Sequence, residues 1–70
     1  MIYIATFEGR KSTFEAVGSS EVNALVILQN YIGALDEWVY RREGLEYFDA
    51  DVYVRQVSIG KVYIDGEVQQ

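Results

Sequence analysis

Histidine, cysteine and proline are all absent from the 70-residue chain. Without cysteine, neither a disulfide framework nor a thiolate metal site can form. Without histidine, the commonest general base and the commonest metal ligand are both missing. Without proline, the turns must rest on Gly, Asp and Ser. Basic charge is scarce as well. Six Lys and Arg stand against eleven acids, a formal net charge of −5. The bases are scattered as Arg10, Lys11, Arg41, Arg42, Arg55 and Lys61. Phosphate contacts need clustered cations, so direct nucleic-acid binding is disfavoured. The apolar run Ala24 to Leu28 is far short of the roughly 20 residues that span a bilayer. Met1-Ile2-Tyr3 lacks the basic region of a signal peptide. The expectation is a cytoplasmic protein with no membrane partner.

What is present is a balance of 50% hydrophobic and 24% charged residues, which belongs to a folded domain. Residues 1–70 have room for a single domain with one core. A core of that size gives modest stability, which association with a partner would raise.

Alternation predicts a first strand over Ile2–Glu8. Tyr3, Ala5 and Phe7 face one way; Ile2, Ile4 and Thr6 face the other. Glu8-Gly9-Arg10-Lys11 can turn the chain, and Ser12–Val17 reads as a second strand with Phe14 and Ala16 on one face. Ser20 is placed to cap a helix, with Glu21 at the positive end of its dipole. The helix is expected from about Glu21 to Val39. Ala24, Leu25, Leu28, Tyr31, Ile32, Leu35 and Val39 form its apolar stripe, and Trp38 lies at the edge of that stripe. Val22, Val26 and Gly33 fall on the opposite side, and Ile27 off the other edge of the stripe. Val22, Val26 and Ile27 are therefore candidates for self-association.

Beyond the helix, Gly44 is a candidate left-handed cap. Asp51–Ser58 alternates, with Val52 and Val54 on one side and Tyr53, Arg55 and Val57 on the other. A turn at Gly60 would return Val62–Ile64 as a fourth strand. The alternative is a turn at Asp65-Gly66, joining a long strand over residues 51–64 to a short Glu67–Val68 edge. Either way the expected fold is α+β: a four-stranded antiparallel sheet in ββαββ order, with one helix packed on one face.

Nothing in the chain assembles a reaction site. Ser12, Ser19, Ser20 and Ser58 have no imidazole to activate them. The acid pairs Asp36 with Glu37, Glu43 with Glu46, and Asp49 with Asp51 do not match a calcium loop. Gly9 and Gly18 are too far apart for a phosphate loop. The expectation is therefore a non-enzyme with no cofactor and no metal.

The segment Asp36–Asp51 is different in kind. Trp38, Tyr40, Tyr47 and Phe48 are interleaved there with Asp36, Glu37, Arg41, Arg42, Glu43, Glu46, Asp49 and Asp51. Aromatics and Arg are enriched at interface hot spots, and acids around them select a basic partner. The other use of these aromatics is to finish a small core. Trp38 is the expected core member, and Tyr47 and Phe48 the expected contacts. Asp36, Glu37, Tyr40, Glu43, Glu46, Tyr47, Phe48 and Asp49 are the candidate partner-binding residues.

Thr6-Phe7-Glu8-Gly9 and residues 12–25, STFEAVGSSEVNAL, resemble small bacteriophage proteins of strand–strand–helix–strand–strand type. In those proteins a hairpin leads into a helix through an E-A-x-x-S-x-x-x-A entry; here Glu15-Ala16-Val17-Gly18-Ser19-Ser20-Glu21-Val22-Asn23-Ala24 resembles it with one residue more between Ser19 and Ala24. The resemblance covers the first half of the chain. The group includes host-takeover and anti-defence inhibitors such as anti-CRISPR proteins, which act by stoichiometric binding. What it implies is a phage-encoded inhibitor in the host cytoplasm. Such an inhibitor would occlude a basic surface on a host defence or nucleic-acid-handling protein. Two alternatives stand beside it: a homodimeric structural or assembly module, and a sponge for a nucleotide-like ligand with its pocket between subunits.

Overall fold

The period-two alternation of the N-terminal half produces an antiparallel hairpin of β1 (Ile2–Glu8) and β2 (Thr13–Gly18), paired from Tyr3 with Gly18 to Glu8 with Thr13. A computed structural model of the chain describes residues 1–58, 60, 62–64 and 67–69, with the last two stretches given as backbone. β3 (Tyr53–Val57) pairs antiparallel with the other side of β1, giving a three-stranded sheet in the order β2-β1-β3. Tyr3, Ala5, Phe7, Phe14, Ala16 and Val54 are on its inner face, against the helices. Ile2, Ile4, Glu15, Val17, Tyr53, Arg55 and Val57 are on the outer face.

The expected fourth strand forms but does not join this sheet. β4 (Val62–Ile64) pairs with β5 (Glu67–Gln69) in a separate two-stranded ladder. Ile64 is opposite Glu67. The Asp65-Gly66 turn weighed from the sequence lies outside the described residues. Gly60 has a φ of 84°, the left-handed conformation suited to a turn, yet β3 and β4 are not paired among the described residues.

The helix after β2 begins as its cap chemistry dictates. α1 (Glu21–Gly33) is capped by Ser20, whose Oγ accepts from the Asn23 amide at 3.0 Å. Asn23 Oδ1 in turn accepts from the Ser19 amide at 3.0 Å, so two exposed amides are satisfied reciprocally. α1 approaches the sheet very closely at Gly18. A Cβ there would lie 2.5 Å from the Ala24 nitrogen, so no larger residue fits.

α1 ends at Gly33, not at Val39. The amides of Ala34 and Leu35 tighten onto the carbonyls of Tyr31 and Ile32 at 3.1 Å. The chain then restarts as α2 (Glu37–Glu43), with Asp36 extended at its N-cap. Helix dipoles explain the break. One continuous helix would carry Asp36 and Glu37 toward its negative end, whereas a new helix puts both at a positive one. Gly44, at φ 72°, closes α2. A 3₁₀ turn (Leu45–Tyr47) and the single-turn α3 (Phe48–Asp51) lead into β3.

The core is Ala5, Phe7 and Ala16 from the sheet, Ala24, Leu28 and Ile32 from α1, with Leu45 and Phe48 closing one end. Phe48 stacks on Phe7 with ring centroids 5.6 Å apart, tilted by 42°. The expected assignment of aromatics is thus inverted for two of the three: Trp38 is 63% exposed and Phe48 is 7% exposed, while Tyr47 is exposed as expected. Tyr31, placed in the apolar stripe by its spacing, is 59% exposed at the flank of α1. Among the described residues no helix is long and apolar enough to cross a membrane.

Candidate interaction surface

The acidic aromatic segment is held to the sheet by one of its own acids. Glu43 is 1% exposed. Its Oε1 accepts from the amides of Lys11 and Ser12 at 2.7 and 3.0 Å, and its carbonyl accepts from the Arg10 amide at 3.3 Å. Its Oε2 receives the Arg42 guanidinium, with Nε and the terminal nitrogen both at 3.1 Å. The β1–β2 loop therefore wraps a carboxylate supplied from α2, and Gly9 leaves room for it. A Cβ at position 9 would sit 2.6 Å from Glu43 Oε1 and 2.8 Å from the Ser12 carbonyl oxygen. Burial alone pushes the Glu43 carboxyl up and is the largest single influence. The two amides and Arg42 together outweigh it and hold the group below its ordinary 4.5.

This changes the membership of the surface. Glu43 and Phe48, both candidate contacts by sequence, are spent inside the molecule, one on the hairpin loop and one on the core. Tyr40 is half-buried against the core. Asp36, Glu37, Glu46, Tyr47 and Asp49 are exposed. The arginines interleaved with them are already engaged. Arg41 meets Glu37 at 2.8 Å, and Arg42, besides Glu43, lies 5.1 Å over the Trp38 ring. Asp36, Glu46, Asp49 and Asp51 have no ion-pair partner among the described residues. Among the described residues no three carboxylates converge.

Two of these acids border a groove. Between α1 and the α2–α3 segment is a depression of about 220 Å³ lined by Gln29, Ile32, Gly33, Tyr40, Leu45, Glu46, Phe48 and Asp49. Its apolar lining comes from the core: Ile32, Leu45 and Phe48 are buried and Tyr40 is half-buried. Glu46 and Asp49 stand at its rim. Comparison with family models, curated proteins and solved structures finds no match. The chemistry of the groove therefore carries the functional reading by itself.

The sequence signal for the groove was incomplete. Glu46 and Asp49 were visible as acids among aromatics, but Gln29, Ile32 and Gly33 come from α1 and reach the site only through the turn at residues 34–36. The three self-association candidates also separate. Val22 and Val26 are exposed on the back of α1, while Ile27 is on the flank above β2, beside Tyr31.

Proposed function

We propose that the protein works by occlusion, seating its acid-rimmed groove on a basic surface of another protein and so blocking what that surface normally receives. The observation that carries this reading is the pairing of an apolar lining with two unneutralised carboxylates. A Lys or Arg side chain has the matching shape, an aliphatic stem for Ile32, Leu45 and Phe48 and a charged head for Glu46 and Asp49. Trp38 and Tyr47, both exposed on the same segment, offer further rigid apolar area for a partner. Basic clefts of this kind belong to proteins that handle nucleic acid. The likeness of the first half of the chain to phage anti-defence inhibitors, among them anti-CRISPR proteins, agrees in kind with a host target of that class.

The test is affinity capture from bacterial lysate with the wild-type chain and with a Glu46→Lys/Asp49→Lys double variant as parallel baits. The expected outcome is a basic protein retained by the wild type, released as salt is raised, and lost from the double variant. Equal retention by both baits would remove the groove from the interface. Retention that is indifferent to salt would replace electrostatic occlusion by apolar anchoring.

A further inference from the structure

We propose that the outer edge of β2, together with the α1 flank above it, is the seat of a second copy of this chain, related by a twofold axis through Ala16. This is independent of the occlusion reading and uses the opposite flank of α1. Four observations point to it. First, β2 is an edge strand, and among the described residues nothing pairs with its outer side. The Gly9 amide bonds the Ser12 carbonyl at 2.8 Å. Counting from there by strict alternation, Phe14 and Ala16 turn their peptide groups to β1, and Thr13, Glu15 and Val17 turn theirs outward. Second, the edge carries none of the usual protection. It has no proline or lysine, and its one charge is drawn inward: Glu15 Oε2 is 3.1 Å from Thr6 Oγ1 and 3.8 Å from the Arg55 guanidinium. Third, beside that edge is an apolar groove of about 200 Å³, bordered by Phe14, Ala16, Leu28, Ile27 and Tyr31. Ile27 is 43% exposed there.

The fourth observation selects a second copy as the occupant. Antiparallel pairing about Ala16 sets Glu15 opposite Val17 of the partner, and both turn their peptide groups outward, so the ladder closes on itself twice. It also brings the Arg10-Lys11 end of each β2 to the Ser20-Glu21 end of the other, so opposite charges meet at both ends. The neighbouring registers are poorer. Centring on Glu15 opposes two like carboxylates. Centring on Val17 sets Glu15 opposite Ser19, whose amide Asn23 already holds, and centring on Phe14 moves the Arg10-Lys11 end off Glu21 and onto Val17-Gly18, so the charges no longer meet. The same axis brings the α1 helices alongside each other through Ile27 and Tyr31. It leaves Glu46 and Asp49 on the far flank, so the acids of the two copies stay apart.

Sedimentation of the full chain tests this, with hydrogen exchange as a second readout. The wild type is expected to run at twice its 8.0 kDa mass, with the Glu15 and Val17 amides protected. Ile27→Glu should give a monomer that loses this protection and keeps its circular dichroism. Lys11→Glu and Glu21→Lys should each weaken the dimer, and the two together should restore it. Val26→Glu, on the back of α1, should leave the dimer whole. A wild-type monomer at every concentration would overturn the proposal. So would a dimer broken by Val26→Glu and not by Ile27→Glu, or single charge reversals that the double variant fails to rescue.

Discussion

Glu43 shows how far one residue's role can lie from its sequence neighbourhood. In a run of acids and aromatics it looks like part of a solvated, partner-facing patch. Its two amide donors are more than thirty positions away in the β1–β2 loop, so no local pattern announces its burial. The cost of taking the carboxylate from water is offset by directed N–H donors and by Arg42, which favour the charged form. Because the folded group titrates below 4.5, the carboxylate stabilises the fold at pH values above 4.5. That contribution is lost as pH falls through the depressed folded value. Glu43→Gln keeps an acceptor for the two amides and discards the charge. The expected result is a lower urea midpoint than wild type at neutral pH, with a gap that narrows as the pH falls below 4.5. Urea melts of both proteins across that range check it. A constant gap would mean that the charge of Glu43 adds nothing.

At the scale of elements, what was legible in the sequence is what local chemistry decides. The faces of β1, β2 and β3 follow from alternation, and the ends of α1 and α2 at Ser20 and Gly44 follow from cap chemistry. Ser20→Ala removes the acceptor of the Asn23 amide and should cost about 1 kcal/mol, read as a shift in the urea midpoint at unchanged slope. The break after Gly33 was hidden because the apolar spacing runs through it: Ile32, Leu35 and Val39 keep helical intervals although the backbone between them does not. Only the acids Asp36 and Glu37 mark a new N-terminus, and on a continuous helix they read as solvated. The pairing of β4 with β5 was contained only in the alternative reading, which set a strand ending at residue 64 against a Glu67–Val68 edge. Alternation says that a strand exists and on which side its apolar residues fall, but it does not choose between partners. The candidate site shared this limit: its acids could be read from the sequence, whereas the α1 wall of the groove could not.

At the scale of the molecule, a single small core must hold three strands, three helices and the groove they form. A chain of this size has a total stability of roughly 4–10 kcal/mol at the usual value per residue. Phe48 closes the end of the core where α3 meets β1, and it also lines the groove. Removing a buried Phe side chain costs about 3–5 kcal/mol, a large share of the whole. Phe48→Ala should therefore leave a substantially unfolded population at 37 °C, visible as loss of near-ultraviolet dichroism. Its neighbour gives the control. Tyr47 is exposed and adds little to the core, so Tyr47→Ala should melt within about 0.5 kcal/mol of wild type and reveal its role only when a partner is present. Two adjacent aromatics would then separate, one holding the fold and the other available for recognition. If Tyr47→Ala unfolds the chain as readily as Phe48→Ala, Tyr47 belongs to the core with Leu45, and the surface beside the groove is smaller than its exposure indicates.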